Sequence, residues 1–196
     1  MTPLVLASAS PIRARVLREA GVAFSVRPSD VDEDAIRQDL LPRDGTAVAE
    51  ALAAEKARRV SRISPGALVL GADQVLEVDG EILSKAGTMP QAREHLLRLR
   101  GREHRLLGAL VLAKDGAELW RHVAASSLRM RAFSDRFLDA YLAAEGEAIL
   151  GSVGCYRYEG RGAQLFERVE GDYFAILGLA LVPLLAALRD LEALER

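Results

Sequence analysis

Several things are scarce in this chain of 196 residues. There is one cysteine, Cys155, so no disulfide can form within the chain and CxxC zinc or redox motifs are excluded. A lone thiol fits a reducing compartment, and a cytoplasmic location is expected. The three histidines, His95, His104 and His122, are not paired at metal-ligand spacing, which excludes HExxH chemistry. Neither sign of charge dominates: 26 Lys and Arg face 28 Asp and Glu, a net charge of −2. That balance argues against a protein that coats nucleic acid or an anionic membrane. The longest uncharged run, from Tyr173 to Leu188, contains Pro183 and falls short of the about 20 apolar residues of a spanning helix. It reads as core, and no membrane partner is expected. The opening MTPLVLASASPIRAR has too short an apolar stretch for a secretory signal. There is no internal repeat, no low-complexity segment, no GxGxxG and no GxxxxGK[ST], so neither the usual dinucleotide nor the P-loop fingerprint applies.

What is present is a globular composition, 50% hydrophobic and 28% charged. The length suits one domain spanning 1–196, with two lobes allowed. Leu4–Ala7 reads as a buried strand that enters a helix through Ser10 and Pro11, a good N-cap and N1 pair. That helix should run to about Ala20 and stop at Gly21. Val22–Val26 reads as a strand and the acidic stretch Pro28–Gly45 mostly as loop. Helices are expected over Thr46–Arg59, Pro90–Leu99, Ser134 to about Ala144, and Val182–Leu194. Asp79-Gly80 and Asp115-Gly116 are hairpin signals between Ala67–Val78 and Glu81–Leu83, and between His104–Ala113 and Ala117–Met130. A further strand is expected over Ala163–Val169. The order of elements predicts an α/β fold with a mixed sheet flanked by helices.

Six groups can carry chemistry. Ser8-Ala9-Ser10-Pro11-Ile12-Arg13 joins a strand end to a helix N-terminus, with two hydroxyls and a guanidinium beside unpaired N–H groups, a corner that suits phosphate. The carboxylates Asp30, Asp32, Glu33 and Asp34 are either solvated or share a cation. Lys56 decorates a helix surface or serves as a phosphate ligand. Asp73 lies in Gly71-Ala72-Asp73-Gln74-Val75 inside an apolar strand, where a carboxylate is costly unless paired or metal-bound. Gly71 and Ala72 permit another group to approach closely. Lys85 follows the first hairpin. Glu159 sits among glycines and tyrosines in 154–162, a loop that could wrap a flat base, and a carboxylate accepts from the two adjacent N–H groups along one edge of guanine. Together these groups offer cations for phosphates, acids for a divalent cation and a base-wrapping loop.

At this point the chain resembles the Maf family of nucleoside triphosphate pyrophosphatases. The segments that carry the resemblance are LASASPIR at 6–13, AEKA at 54–57, GADQV at 71–75, GEILSK at 80–85, LRGREH at 99–104 and YEGRGAQLFERVEGDY at 158–173. The resemblance implies an elongated mixed sheet with helices on its flanks, two lobes with a central cleft, and admits a homodimer. It implies hydrolysis of a nucleoside triphosphate to the monophosphate and pyrophosphate, as in house-cleaning of nucleotide pools. By residue match, Ser8 and Arg13 bind substrate phosphate, with Ser10 close by as a further substrate-binding candidate, and Glu33, Lys56, Asp73 and Lys85 line the reaction centre, with Asp73 as proton acceptor. A carboxylate with the usual pKa of about 4 is a weak base for water, so a divalent cation, Mg²⁺ or Mn²⁺, held by Asp73 and Glu33 is expected.

Some positions depart from the pattern. Ala86 and Ala180 stand where proline is usual in the family. The branch resembling thymidine and uridine triphosphate pyrophosphatases carries Gln at the position of Glu159, Thr at that of Gln74 and Lys at that of Ser152. With LFERVEG at 165–171, these features resemble the branch acting on 7-methyl-GTP. Glu159 and Gln74 are therefore expected to contact substrate, with Tyr156 or Tyr158 stacking on a cationic methylated base. The alternatives are a dTTP/UTP or broad pyrophosphatase and, from another class, a non-catalytic nucleotide-binding regulator of cell division.

Overall fold

A computed structural model describes residues 1–40 and 44–195. Seven strands form one mixed sheet in the order β2-β1-β3-β5-β6-β7, with β4 (Glu81–Leu83) paired to β3 off that path. β1 (Leu4–Leu6) is fully buried and runs parallel to both β2 (Ser25–Val26) and β3 (Leu68–Val78). β4 returns antiparallel along β3, with Leu76 opposite Leu83. β5 (Glu103–Lys114), β6 (Ala117–Met130) and β7 (Phe166–Glu170) follow, β6 and β7 antiparallel. The α/β mixed sheet predicted from the order of elements is present. Both hairpins turn where the sequence puts them. Asp79 and Gly80 have φ of 52° and 77°, and Asp115 and Gly116 have 50° and 86°. Two successive positive φ values are the demand of the hairpin turn whose twist matches its strands.

The helices are α1 (Pro11–Glu19), α2 (Glu33–Asp39), α3 (Gly45–Arg62), α4 (Met89–Leu99), α5 (Asp135–Glu145), α6 (Tyr173–Ile176) and α7 (Leu181–Asp190). Helix α3 begins at Asp44, whose side chain accepts from Thr46 N at 2.9 Å, and buries Val48, Leu52, Ala53, Ala57 and Val60 along one stripe. Ser134 caps α5 by accepting from Phe137 N at 3.2 Å.

By packing, the chain divides into two compact units. The first comprises Met1–Gln74, Leu107–Ala124 and Asp172–Arg196, and the second Val75–Leu106 and Ala125–Gly171. In the first unit, Leu6, Leu17, Leu52, Leu68 and Leu70 are sealed from solvent; in the second, Leu96, Leu99, Leu128 and Met130 are.

Four expectations need correction. The acidic stretch Pro28–Gly45 is not all loop: Asp32 accepts from Ala35 N at 3.0 Å and starts α2. That helix is short, with acids in its first turn that suit the helix dipole rather than an apolar stripe that periodicity would find. Residues 41–43 of the stretch lie outside the described residues. Of Val22–Val26, only Ser25 and Val26 pair as strand. The expected strand from Ala163 starts at Phe166, after a 3₁₀ turn over Arg161–Leu165. The closing helix expected over Val182–Leu194 is α7, Leu181–Asp190, which ends four residues earlier with Leu191 as its C-cap.

Candidate functional site

The first unit gathers most of the expected residues. Its centre is Asp73 on β3, a strand buried on both faces. Two residues before it, on the same side of the strand, is Gly71. A Cβ there would come within 2.7 Å of Ala57 N and 2.8 Å of Ala57 Cβ, and closer still to Ala53 O. Only glycine lets α3 lie this flat on β3. That contact fixes the height of Lys56, which is 8% exposed, against Asp73, which is 6% exposed. Lys56 Nζ donates to Asp73 Oδ1 at 2.6 Å and pairs with Glu33 Oε1 at 2.7 Å. Glu33 opens α2, and its Oε2 accepts from Arg37 Nη2 at 3.1 Å. The acidic cluster of the sequence thus separates by role. Asp32 caps the helix, Asp34 pairs with Arg37 at the exposed surface, and Glu33 points to the lysine.

Arg13 projects from the first turn of α1. Its Nε donates to Gly178 O at 2.9 Å, and its Nη1 to Ala72 O at 3.0 Å and Ser8 Oγ at 3.2 Å. Nη2 carries no hydrogen bond among the described residues. Burial pulls the Arg13 guanidinium below its ordinary pKa, while the charges of Asp73 and Glu33 act to hold it up. It stays protonated, as arginine does in proteins. Ser8 Oγ also accepts from Ser10 N at 3.2 Å. Ser10 occupies the N-cap position before Pro11, but its side chain makes no capping bond, so its hydroxyl is not spent on the helix.

Around this point Arg13, Lys56 and Arg37 face three carboxylates, Asp73, Glu33 and Asp34, so the fixed charges balance. One acceptor is unused: Asp73 Oδ2 is buried and has no hydrogen-bond partner among the described residues. A buried carboxylate oxygen without a donor is costly and points to a group that arrives with substrate. Among the described residues, no three His, Cys, Asp or Glu side chains cluster as a metal site. Gln74 is tied elsewhere, donating from Nε2 to Ala175 O at 2.9 Å and Ile176 O at 3.4 Å, which joins β3 to α6.

Lys85 and Glu159 belong to the second unit. Lys85 is exposed just past β4. Glu159 lies in a turn closed by Gly160 N donating to Arg157 O at 3.1 Å, and its side chain is 12% exposed. Tyr156 is not available to stack on a base, contrary to the expectation. It is buried, its hydroxyl is 2.8 Å from His104 Nε2, and Phe166 packs against it edge-on at 4.9 Å. Tyr158 is half-buried, with its ring 5.8 Å from Phe166. His104, Glu145 and Arg157 were not singled out as functional from the sequence. The segment LRGREH, which ends in His104, carried the one available signal.

The family model for Maf-like proteins matches residues 3–191. A Maricaulis maris protein named nucleoside triphosphate pyrophosphatase is 52% identical, over 100% of each chain. One of the same name from Granulibacter bethesdensis is 50% identical, over 97% of this chain and 98% of that one. A Rhizobium meliloti protein named 7-methyl-GTP pyrophosphatase is 47% identical, over 98% of each. With relatives this similar from end to end, and a family model that spans nearly every element from β1 to α7, the chain belongs to the Maf-like protein family.

Proposed function

We propose that this protein hydrolyses a nucleoside triphosphate, with a guanine-type base such as that of 7-methyl-GTP, to the nucleoside monophosphate and pyrophosphate. The observation that carries this reading is the buried Lys56–Asp73 pair. It is flanked by Glu33 and Arg13 and has one carboxylate oxygen left without a donor. Arg13, in the first turn of α1, and Lys56 are fixed cations of the kind that attract a polyphosphate. Names borne by relatives at about half identity agree with the reaction.

Lys56 holds Asp73 by Oδ1 and so leaves Oδ2 aimed at the reacting centre, where it orients the attacking water and accepts its proton. Arg13 and Lys56 offset the charge that accumulates on the phosphate oxygens. Ser8, itself held by Arg13, and the free Ser10 hydroxyl are hydrogen-bonding groups for the same phosphates. The donor set also fits a divalent cation. Asp73 through Oδ2 and Glu33 would hold it, with phosphate oxygens completing its coordination, as is usual for Mg²⁺. Such an ion supplies Lewis-acid stabilisation of the leaving pyrophosphate. Lys85, in the second unit, is a cation of the kind that pairs with phosphate. Glu159, an acceptor-only side chain, matches the N1–H and N2–H₂ of guanine, whereas a glutamine at that position would match uracil or thymine.

Pyrophosphate release from GTP, 7-methyl-GTP, UTP, dTTP, CTP and ATP, with Mg²⁺ or Mn²⁺ and with chelator, tests this. The expected result is turnover of the guanine nucleotides, loss with chelator and loss in Asp73→Asn. Preference for UTP or dTTP would keep the reaction and overturn the base assignment. Nucleotide binding without turnover, unaffected by Asp73→Asn, would make the protein a binding regulator instead.

A further inference from the structure

Glu159 shares a cation, Arg157, with a second carboxylate, Glu145. Arg157 Nε lies 3.7 Å from Glu159 Oε1, and Arg157 Nη1 lies 3.6 Å from Glu145 Oε2 at the end of α5. Both acids are well shielded, their side chains 12% and 7% exposed, whereas the arginine side chain is 42% exposed. Among the described residues Glu145 Oε2 is buried without a hydrogen-bond donor, so its compensation from Arg157 is an ion pair and not a hydrogen bond. The arrangement is rigidly built. A Cβ on Gly162 would lie 2.8 Å from Arg157 N and 2.5 Å from Arg157 O. The turn from Arg157 to Gly160 is closed by a backbone bond of 3.1 Å. Arg157 and Glu159 are the first and third residues of that turn, so their side chains are held at a fixed spacing.

We propose that Arg157, divided between Glu145 and Glu159, is a positioning and specificity residue that sets how much negative charge Glu159 presents to the base. This rests on the reading of Glu159 as the base-facing carboxylate. A guanidinium bound wholly to Glu159 would neutralise it and occupy an acceptor. Glu145 draws part of that charge away, leaving Glu159 anionic enough to favour a base with a positive ring over a neutral one. Guanine and 7-methylguanine present the same N–H edge and differ in this charge, so their ratio reads the field at Glu159.

The test is the ratio of kcat/KM for 7-methyl-GTP to that for GTP, in slightly acidic buffer that keeps the methylated ring cationic. In Arg157→Gln the ratio should rise about three- to tenfold, as expected for one partly screened charge removed. In Glu145→Gln it should fall, because Arg157 is then left with Glu159 alone. Arg157→Lys, which keeps the charge, should shift the ratio less than Arg157→Gln does. Opposite shifts from the two neutralising substitutions are a signature that general damage to the loop cannot produce, since damage lowers both nucleotides together. A ratio that moves the same way in both, or in neither, overturns the assignment of Arg157 while leaving the reaction intact. If the unsubstituted protein hydrolyses neither nucleotide, the proposed function fails and takes this inference with it.

Discussion

Replacing Gly71 by alanine perturbs the site through the backbone alone. The added Cβ would stand 2.8 Å from Ala57 Cβ and 2.7 Å from Ala57 N, where two carbons in ordinary contact need about 3.5–4.0 Å. The closest clash is with Ala53 O, a main-chain atom of α3 that cannot turn aside. The helix must therefore retreat from β3 by about 1 Å, taking Lys56 with it. Overpacking of this kind costs about 2–4 kcal/mol, a fall in melting temperature of about 5–15 °C for a chain of this size. The 2.6 Å bond from Lys56 to Asp73 would lengthen beyond hydrogen-bonding range. A misplacement of about 1 Å in a reacting group typically costs about a hundredfold in rate. Ala57→Gly should not rescue the variant, because the worst contact is with Ala53 O. Gly108→Ala is the control, since its Cβ would meet nothing nearer than Asp73 O at 3.8 Å and should be tolerated. Thermal melts and pyrophosphate-release kinetics on the four proteins decide the matter. A Gly71→Ala protein that melts within about 2 °C of the parent and keeps its rate would refute the argument.

Lys56→Met leaves Asp73 buried without its cation, and should cost about 3 kcal/mol at neutral pH. A urea midpoint unchanged from that of the parent would refute this. Burial holds His104 down from its ordinary 6.5 to about 4. Between those values the unfolded chain binds a proton that the folded chain does not. Stability from this group is therefore complete above pH 6.5 and falls as pH drops through 4, by up to about 3 kcal/mol. His104→Gln should remove that slope, measured as urea midpoint against pH. Burial also pushes the Cys155 thiol up to about 11, so a thiol reagent should label it only when the chain unfolds.

The sequence by itself determined the elements whose cause is local. Asp79-Gly80 and Asp115-Gly116 turn as hairpins because their residues tolerate the left-handed backbone. The flat apolar run around Asp73 could only be an interior strand, which made that carboxylate suspect before any partner was visible. Gly71 announced a close approach, though not by which helix. It was silent on α2, a helix held by a cap and a dipole rather than an apolar stripe. The tertiary structure alone decided the pairings: Lys56 is 17 positions from Asp73 in sequence, and Arg13 reaches 165 positions to Gly178 O. It also turned Gln74 toward α6 and sealed Tyr156 against His104, where the sequence offered both to substrate. The physical reason is the same throughout. Backbone preference and burial are written residue by residue, whereas the partner of a buried charge or hydroxyl depends on which distant segment packing brings within about 3 Å, the reach of a hydrogen bond.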